Sequence, residues 1–194
     1  MCGRDWSSDV CSSDLPEPGY PTFALALSLF EAPAWDVMSP ERPLRFWRLL
    51  EINQPGAQPL TTSPLRADER IVNYIKGLNY LDDRLAPLLS PLTLPRDAQL
   101  PASLAAHVES LVTQLEEPTV APPAYVQLTG TDTVSQQLVA HHTAAQLGLA
   151  LYRLSLDLLP SQLGELETFS RLWQRESGLF PLTLLIDLHD TDLH

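Results

Sequence analysis

Cysteine occurs only as Cys2 and Cys11. With none in the rest of the chain, no intramolecular disulfide framework can staple the fold, which suits a reducing compartment. Positive charge is scarce as well: Lys and Arg number 12 against 24 Asp and Glu, for a formal net charge of -12. Non-specific binding to nucleic acid or to an anionic membrane needs a basic surface, so the composition argues against both. An acidic balance is also an ordinary solubility device. Long apolar runs are missing too. Phe23–Phe30, FALALSLF, falls well short of the roughly 20 residues that a bilayer-spanning helix needs. No basic segment precedes it and Glu31 closes it, so it reads as a buried helix and not a signal peptide. These absences together predict a cytoplasmic protein of one ordinary domain or two small ones within 194 residues.

Residues 1–15, MCGRDWSSDVCSSDL, hold a near-duplicate, Ser7-Ser8-Asp9-Val10 and Ser12-Ser13-Asp14-Leu15, and lack any helical or strand period. They resemble the translated read-through of a sequencing-library adapter, so they are set aside as an artefact and Cys2 and Cys11 carry no function. Residues 16–22 read as a proline-rich linker. From there the pattern predicts a mixed α+β chain.

In residues 23–90, a helix over Phe23–Glu31 precedes a second one opened by Ser39-Pro40, with Leu44, Trp47 and Leu50 forming its stripe. A hairpin LLEI–NQPGAQP–LTTSPL follows, with Pro55-Gly56 at its tip. The next helix carries Ile71, Ile75 and Leu78 on one face and ends near Gly77. Helices around a hairpin suggest a winged-helix-like module. Residues 91–122 are a connector holding the helix Pro101–Glu117, and the rigid PTVAPP (Pro118–Pro123) marks the boundary.

Residues 123–194 change rhythm. Strand Tyr125–Thr129, helix Thr133–Leu147, strand Leu149–Leu156, a helix from Ser161 closed by Gly178, and strand Leu182–Asp187 give βαβαβ. That is the start of a P-loop-like α/β half-domain, and LTLLID reads as a strand buried on both faces. A phosphate loop, G-x-x-x-x-G-K-[ST], needs glycine to aim backbone N–H groups at phosphates, lysine for charge and a hydroxyl for magnesium. Starting at Gly130, this chain offers Ser135 for the second glycine, Gln136 for lysine and Gln137 for the hydroxyl residue. Asp132 adds negative charge where phosphates would lie, against the partial positive charge of a helix N-terminus. Asp187 fits the metal-facing end of the last strand, but Leu188 stands where a water-activating Glu would be. His189 and Asp190 come one and two positions late. Gly130 and Asp187 are thus the candidate nucleotide-site residues, and neither suffices alone.

The stretches PLRFWRLLEI, PLTTSPLRADERIVNYIKGLNYLDDRLAPLL, YVQLTG, LGLALYRLSL, LWQRESGL and TLLIDLHD resemble the N-terminal part of large bacterial AAA+ ATPases. In these, a winged-helix-like region and a degenerate AAA-like domain precede an intact ATPase domain, and some accompany contractile injection systems. The resemblance covers about Trp35 to the C-terminus. It implies a non-catalytic regulatory and assembly region, with ATP and Mg2+ used by the parent protein and no cofactor in this chain. It implies protein partners and homo-oligomerisation through the parent ATPase. It also implies a sheet completed by a strand beyond this chain, so a fragment broken at both ends is expected.

Other candidates are weaker. His141 and His142 point about 100° apart on a helix and cannot readily share a metal ion; a hydrogen-bonded core histidine is the expectation for His141. Nothing in the spacing of Ser135, His142 and Asp187 requires a triad. Arg66 and Arg70 could face DNA if the first module is a winged helix, which is the alternative reading. Asp68, Glu69, Asp82 and Asp83 surround them, so an exposed solvated face is expected. Trp47 and Trp173 are expected as core anchors.

Overall fold

The computed structural model describes residues 19–32, 34–54, 56–95, 98–116 and 125–188. The chain divides into two compact units, Met1–Leu78 and Asn79–His194. The readings placed on residues 1–18, on Pro118–Pro123 and on His189 and Asp190 lie outside the described residues.

In the first unit, helix α1 (Phe23–Leu29) opens where Thr22 Oγ1 accepts from Leu25 N–H at 3.1 Å. Phe23 is buried, its ring tilted against Trp35 at 5.4 Å. Helix α2 is only Pro43–Phe46, beginning three residues later than Ser39-Pro40 suggested. The second proline decides this. A helix begun at Pro40 would place Pro43 where an N–H is already required, whereas at the first helical position its absence costs nothing. Arg48, in a left-handed conformation at φ 50°, ends the turn.

Strand β1 (Leu50–Ile52) then pairs antiparallel with β2 (Leu65–Ala67), setting Glu51 opposite Arg66. The second strand lies later than LTTSPL predicted, because Leu60–Thr62 forms a 3-10 turn between Pro59 and Pro64. Neither proline can donate to a ladder. Helix α3 (Glu69–Ile75) is capped by Asp68, whose Oδ1 accepts from Arg70 N–H, and Gly77 at φ 84° turns the chain out as expected. Its faces are a correction. Ile75 is 74% exposed and Leu78 is exposed, while the buried side chain is Arg70.

The second unit starts with a tight turn, Leu85 and Ala86 N–H groups donating to Asp82 O. It leads into strand β3 (Leu89–Pro91). Helices α4 (Ala102–Glu116) and α5 (Thr133–Gln146) follow, each stopping within a residue of its predicted end. Strand β4 (Ala150–Ser155), helix α6 (Leu163–Leu179) and strand β5 (Leu182–Asp187) complete it. The sheet order is β3-β4-β5, with β3 antiparallel and β5 parallel to β4.

This corrects the expected βαβαβ half-domain. Tyr125–Thr129 form no strand, and the free edge of β4 is taken by β3, drawn from upstream. Among the described residues strand β5 has one neighbour in the sheet, and its Ile186 is 47% exposed, so it is not the doubly buried strand predicted. Helix α6 runs through Gly178 and stops at Phe180, because the residue before Pro181 is pushed out of helical geometry.

Side chains alternate across the sheet. Leu154 with Leu85, Leu89, Phe169 and Leu172 forms the core on the α6 face, with Tyr152, Leu184 and Trp173 packed against it. Leu151, Arg153 and Asp187 therefore lie on the other face, where α5 covers β4 and α4 packs on α5. No helix among the described residues is long and apolar enough to cross a membrane.

Candidate functional site

The tight turn at Gly148, φ 70°, sends the chain from α5 straight back into β4. Helix α5, at about 1.5 Å per residue, and β4, at about 3.3 Å per residue, have similar lengths. The N-terminus of α5 is therefore carried toward the C-terminal end of the parallel pair, the end that holds Asp187.

The chemistry there is of a different kind. Asp132 caps α5 from within: its Oδ1 accepts from Val134 N–H at 3.1 Å and its Oδ2 from the Ser135 hydroxyl at 2.5 Å. The Ser135 bond foremost holds the Asp132 carboxyl below its ordinary value. A fixed anion already occupies the place where a helix N-terminus would receive a phosphate. Gln136, in the lysine slot, turns back and donates to Gly130 O at 3.1 Å. Gly130 sits at φ 150°, open mainly to glycine. Asp187 is buried and ion-paired with Arg153 on β4 at 2.9 Å. That guanidinium already balances the charge a magnesium ion would need. ATP with Mg2+ does not fit these residues. Ser135, His142 and Asp187 form no triad, since Ser135 is bonded to Asp132 and Asp187 is paired with Arg153.

A buried charge cluster around Asp82 escaped sequence reading. Asp82, expected on a solvated face, is 1% exposed. Its carboxylate accepts from the backbone of Arg84 at 2.8 Å and from both arms of the Arg84 guanidinium at 2.9 and 2.6 Å. Arg175 of α6 also donates to it and binds Glu176 at 3.1 Å, and Glu176 is fully buried. Burial would raise the Asp82 pKa, but the hydrogen bonds and charge of Arg84, with Arg175, outweigh it and hold it below 3.8. The signal was the spacing Asp82-x-Arg84, a local cap and fork.

His141 lines a shallow pocket of about 200 Å³ with Leu92, Ala144, Leu149 and Leu151. Its Nδ1 is buried without a hydrogen bond, which corrects the expected bonded core histidine. Desolvation first, and then His142, lowers its pKa. Among the described residues no group of His, Cys, Asp and Glu could hold a metal ion.

Residues 33–89 match the family described as a winged helix domain, variant. No curated protein and no solved structure matches the chain.

Within the winged-helix match the cations are largely engaged. Arg70 is buried with its guanidinium 5.7 Å from the centre of the Tyr74 ring, Arg45 donates to Met38 O at 3.2 Å, and Arg42 pairs with Asp36. Arg70, named above as half of a DNA-facing pair, therefore cannot reach a phosphate, while Arg66 stays exposed. Trp47 of the winged helix is half-buried edge-on to Phe46 at 4.7 Å, and in the second unit Trp173 backs the core.

Proposed function

We propose that this chain is a regulatory and assembly region, built on its winged-helix domain, of an AAA+ ATPase whose working nucleotide site lies elsewhere on the parent protein. It acts by protein contact in the cytoplasm, within the homo-oligomer of that ATPase, and performs no hydrolysis itself. The observation that carries this reading is the N-terminus of α5, filled by Asp132 and Ser135 with Gln136 folded onto Gly130. A loop that satisfies itself has the outline of a nucleotide site and no vacancy for the triphosphate. The resemblance of SPLRADERIVNYIKGLNYLDDRL to AAA+ N-terminal regions supports the rest.

Calorimetric titration of the full chain with ATP and Mg2+ tests it. No binding heat is expected up to millimolar nucleotide; micromolar affinity, or turnover lost on Asp187→Asn, would overturn it. The winged-helix match itself favours a second reading, a DNA-binding regulator. Salt-sensitive binding to duplex DNA would support that reading, and no binding at low salt would remove it. The engaged Arg42, Arg45 and Arg70 weigh against it.

A further inference from the structure

We propose that residues 79–92 form a latched strap, a segment that leaves and rejoins the sheet as one unit, held shut by Asp82 on Arg175. The segment's own backbone bonds are local, running from Leu85 and Ala86 to Asp82 O and from Leu89 to Leu85 O. Its ladder to β4 is short: Leu89, Ser90 and Pro91 oppose Leu154, Arg153 and Tyr152, and Leu92 N–H donates to Leu151 O at 2.9 Å. Pro91 has no N–H to contribute. Strand β5, by contrast, is in register with β4 from Ala150↔Leu182 to Ser155↔Asp187. What fastens the strap is therefore side chains: Leu85 and Leu89 in the core, and Asp82 on α6.

The charges are distributed for parting. Asp82 carries its own counter-charge, Arg84, on the strap, and Arg175 keeps Glu176 beside it on α6. Separation at the Asp82–Arg175 contact leaves Asp82 with Arg84 on the strap and Glu176 with Arg175 on α6, so Glu176 does not become an uncompensated buried charge. Opening then stays local and α6 does not have to unravel. Residues 79–89 also close the winged-helix match, so the latch decides whether that end of the match is sheet or free chain.

Native-state hydrogen exchange on the full chain, followed by mass spectrometry over graded urea, reads this directly. In the wild type, amides of 84–92 should exchange through an opening with a smaller urea slope than those of Leu151–Ser155 and Leu182–Asp187. Asp82→Asn should speed the strap on the order of a hundredfold, and β4–β5 amides by no more than that factor, since the contact is lost in the strap-open and the unfolded state alike. Arg175→Met takes the guanidinium from Glu176 as well, and should speed α6 amides together with the strap. No acceleration of the strap in Asp82→Asn, or a wild-type urea slope for the strap equal to that of β4–β5, would overturn the proposal. If Asp82→Asn fails to fold, the wild-type urea series decides: a common isotherm for strap and β5 would refute the latch.

Discussion

Asp82 and Asp132 begin with the same local geometry. Each accepts a hydrogen bond from the backbone N–H two residues on, Arg84 at 2.8 Å and Val134 at 3.1 Å. Each is held below the ordinary aspartate pKa. Their surroundings then separate them. Asp132 stays in solvent and gathers one hydroxyl, so water and salt screen most of its interaction. Asp82 is buried and gathers two guanidinium groups, one of them from 93 residues away. The motif sets the backbone turn in both places, and the long-range partner determines how much depends on it.

The largest effect should come from Asp82→Asn. It leaves Arg175 with the Glu176 carboxylate alone and should cost the second unit about 3 kcal/mol in urea unfolding, the low end for a broken buried pair, because Arg84 remains partly solvated. Acid should act on the same group. Its depressed folded pKa means that the stabilisation is present above 3.8 and is lost as pH falls through the folded value. A urea midpoint followed downward from pH 5 should therefore fall below pH 3.8, and more steeply in the wild type than in Asp82→Asn. Asp132→Ala should do much less: faster exchange at Val134 and Gln136, with the unfolding midpoint of the unit nearly unchanged. Adding salt should erase part of the Asp132 effect and leave that of Asp82. Ser135→Ala should be smallest, detectable as a rise in the Asp132 carboxyl pKa by NMR, since the Ser135 bond is its foremost cause. Comparable losses for Asp82→Asn and Asp132→Ala would break the contrast.

The elements written in long periods were legible. Helices α4 and α5 and strands β4 and β5 fall within a residue or two of their expected limits, because stripes and apolar runs of that length determine their own structure. The failures share a cause. Strand β3 is three residues ending in proline, which no local pattern marks, and it is a strand because β4 offers it an edge. Tyr125–Thr129 have strand-like composition and form no strand, because β3 fills that edge. Arg70 and Asp82 read as surface by residue type and are buried by the partners that neutralise or cover them. At Gly130 and Asp187, the sequence pattern left the local partners of each residue unread. That Asp132 would cap its own helix while Arg153 claimed Asp187 required the fold.

Leu89 closes the winged-helix match and opens strand β3 at once. A polypeptide trimmed to those homology limits would carry Leu85 and Leu89 away from Leu154, Phe169 and Leu172, leaving an oily, aggregation-prone face on each piece. The first unit ends instead at Leu78, just past the turn at Gly77. The end of the family match and the end of the first unit are two different points on the same backbone.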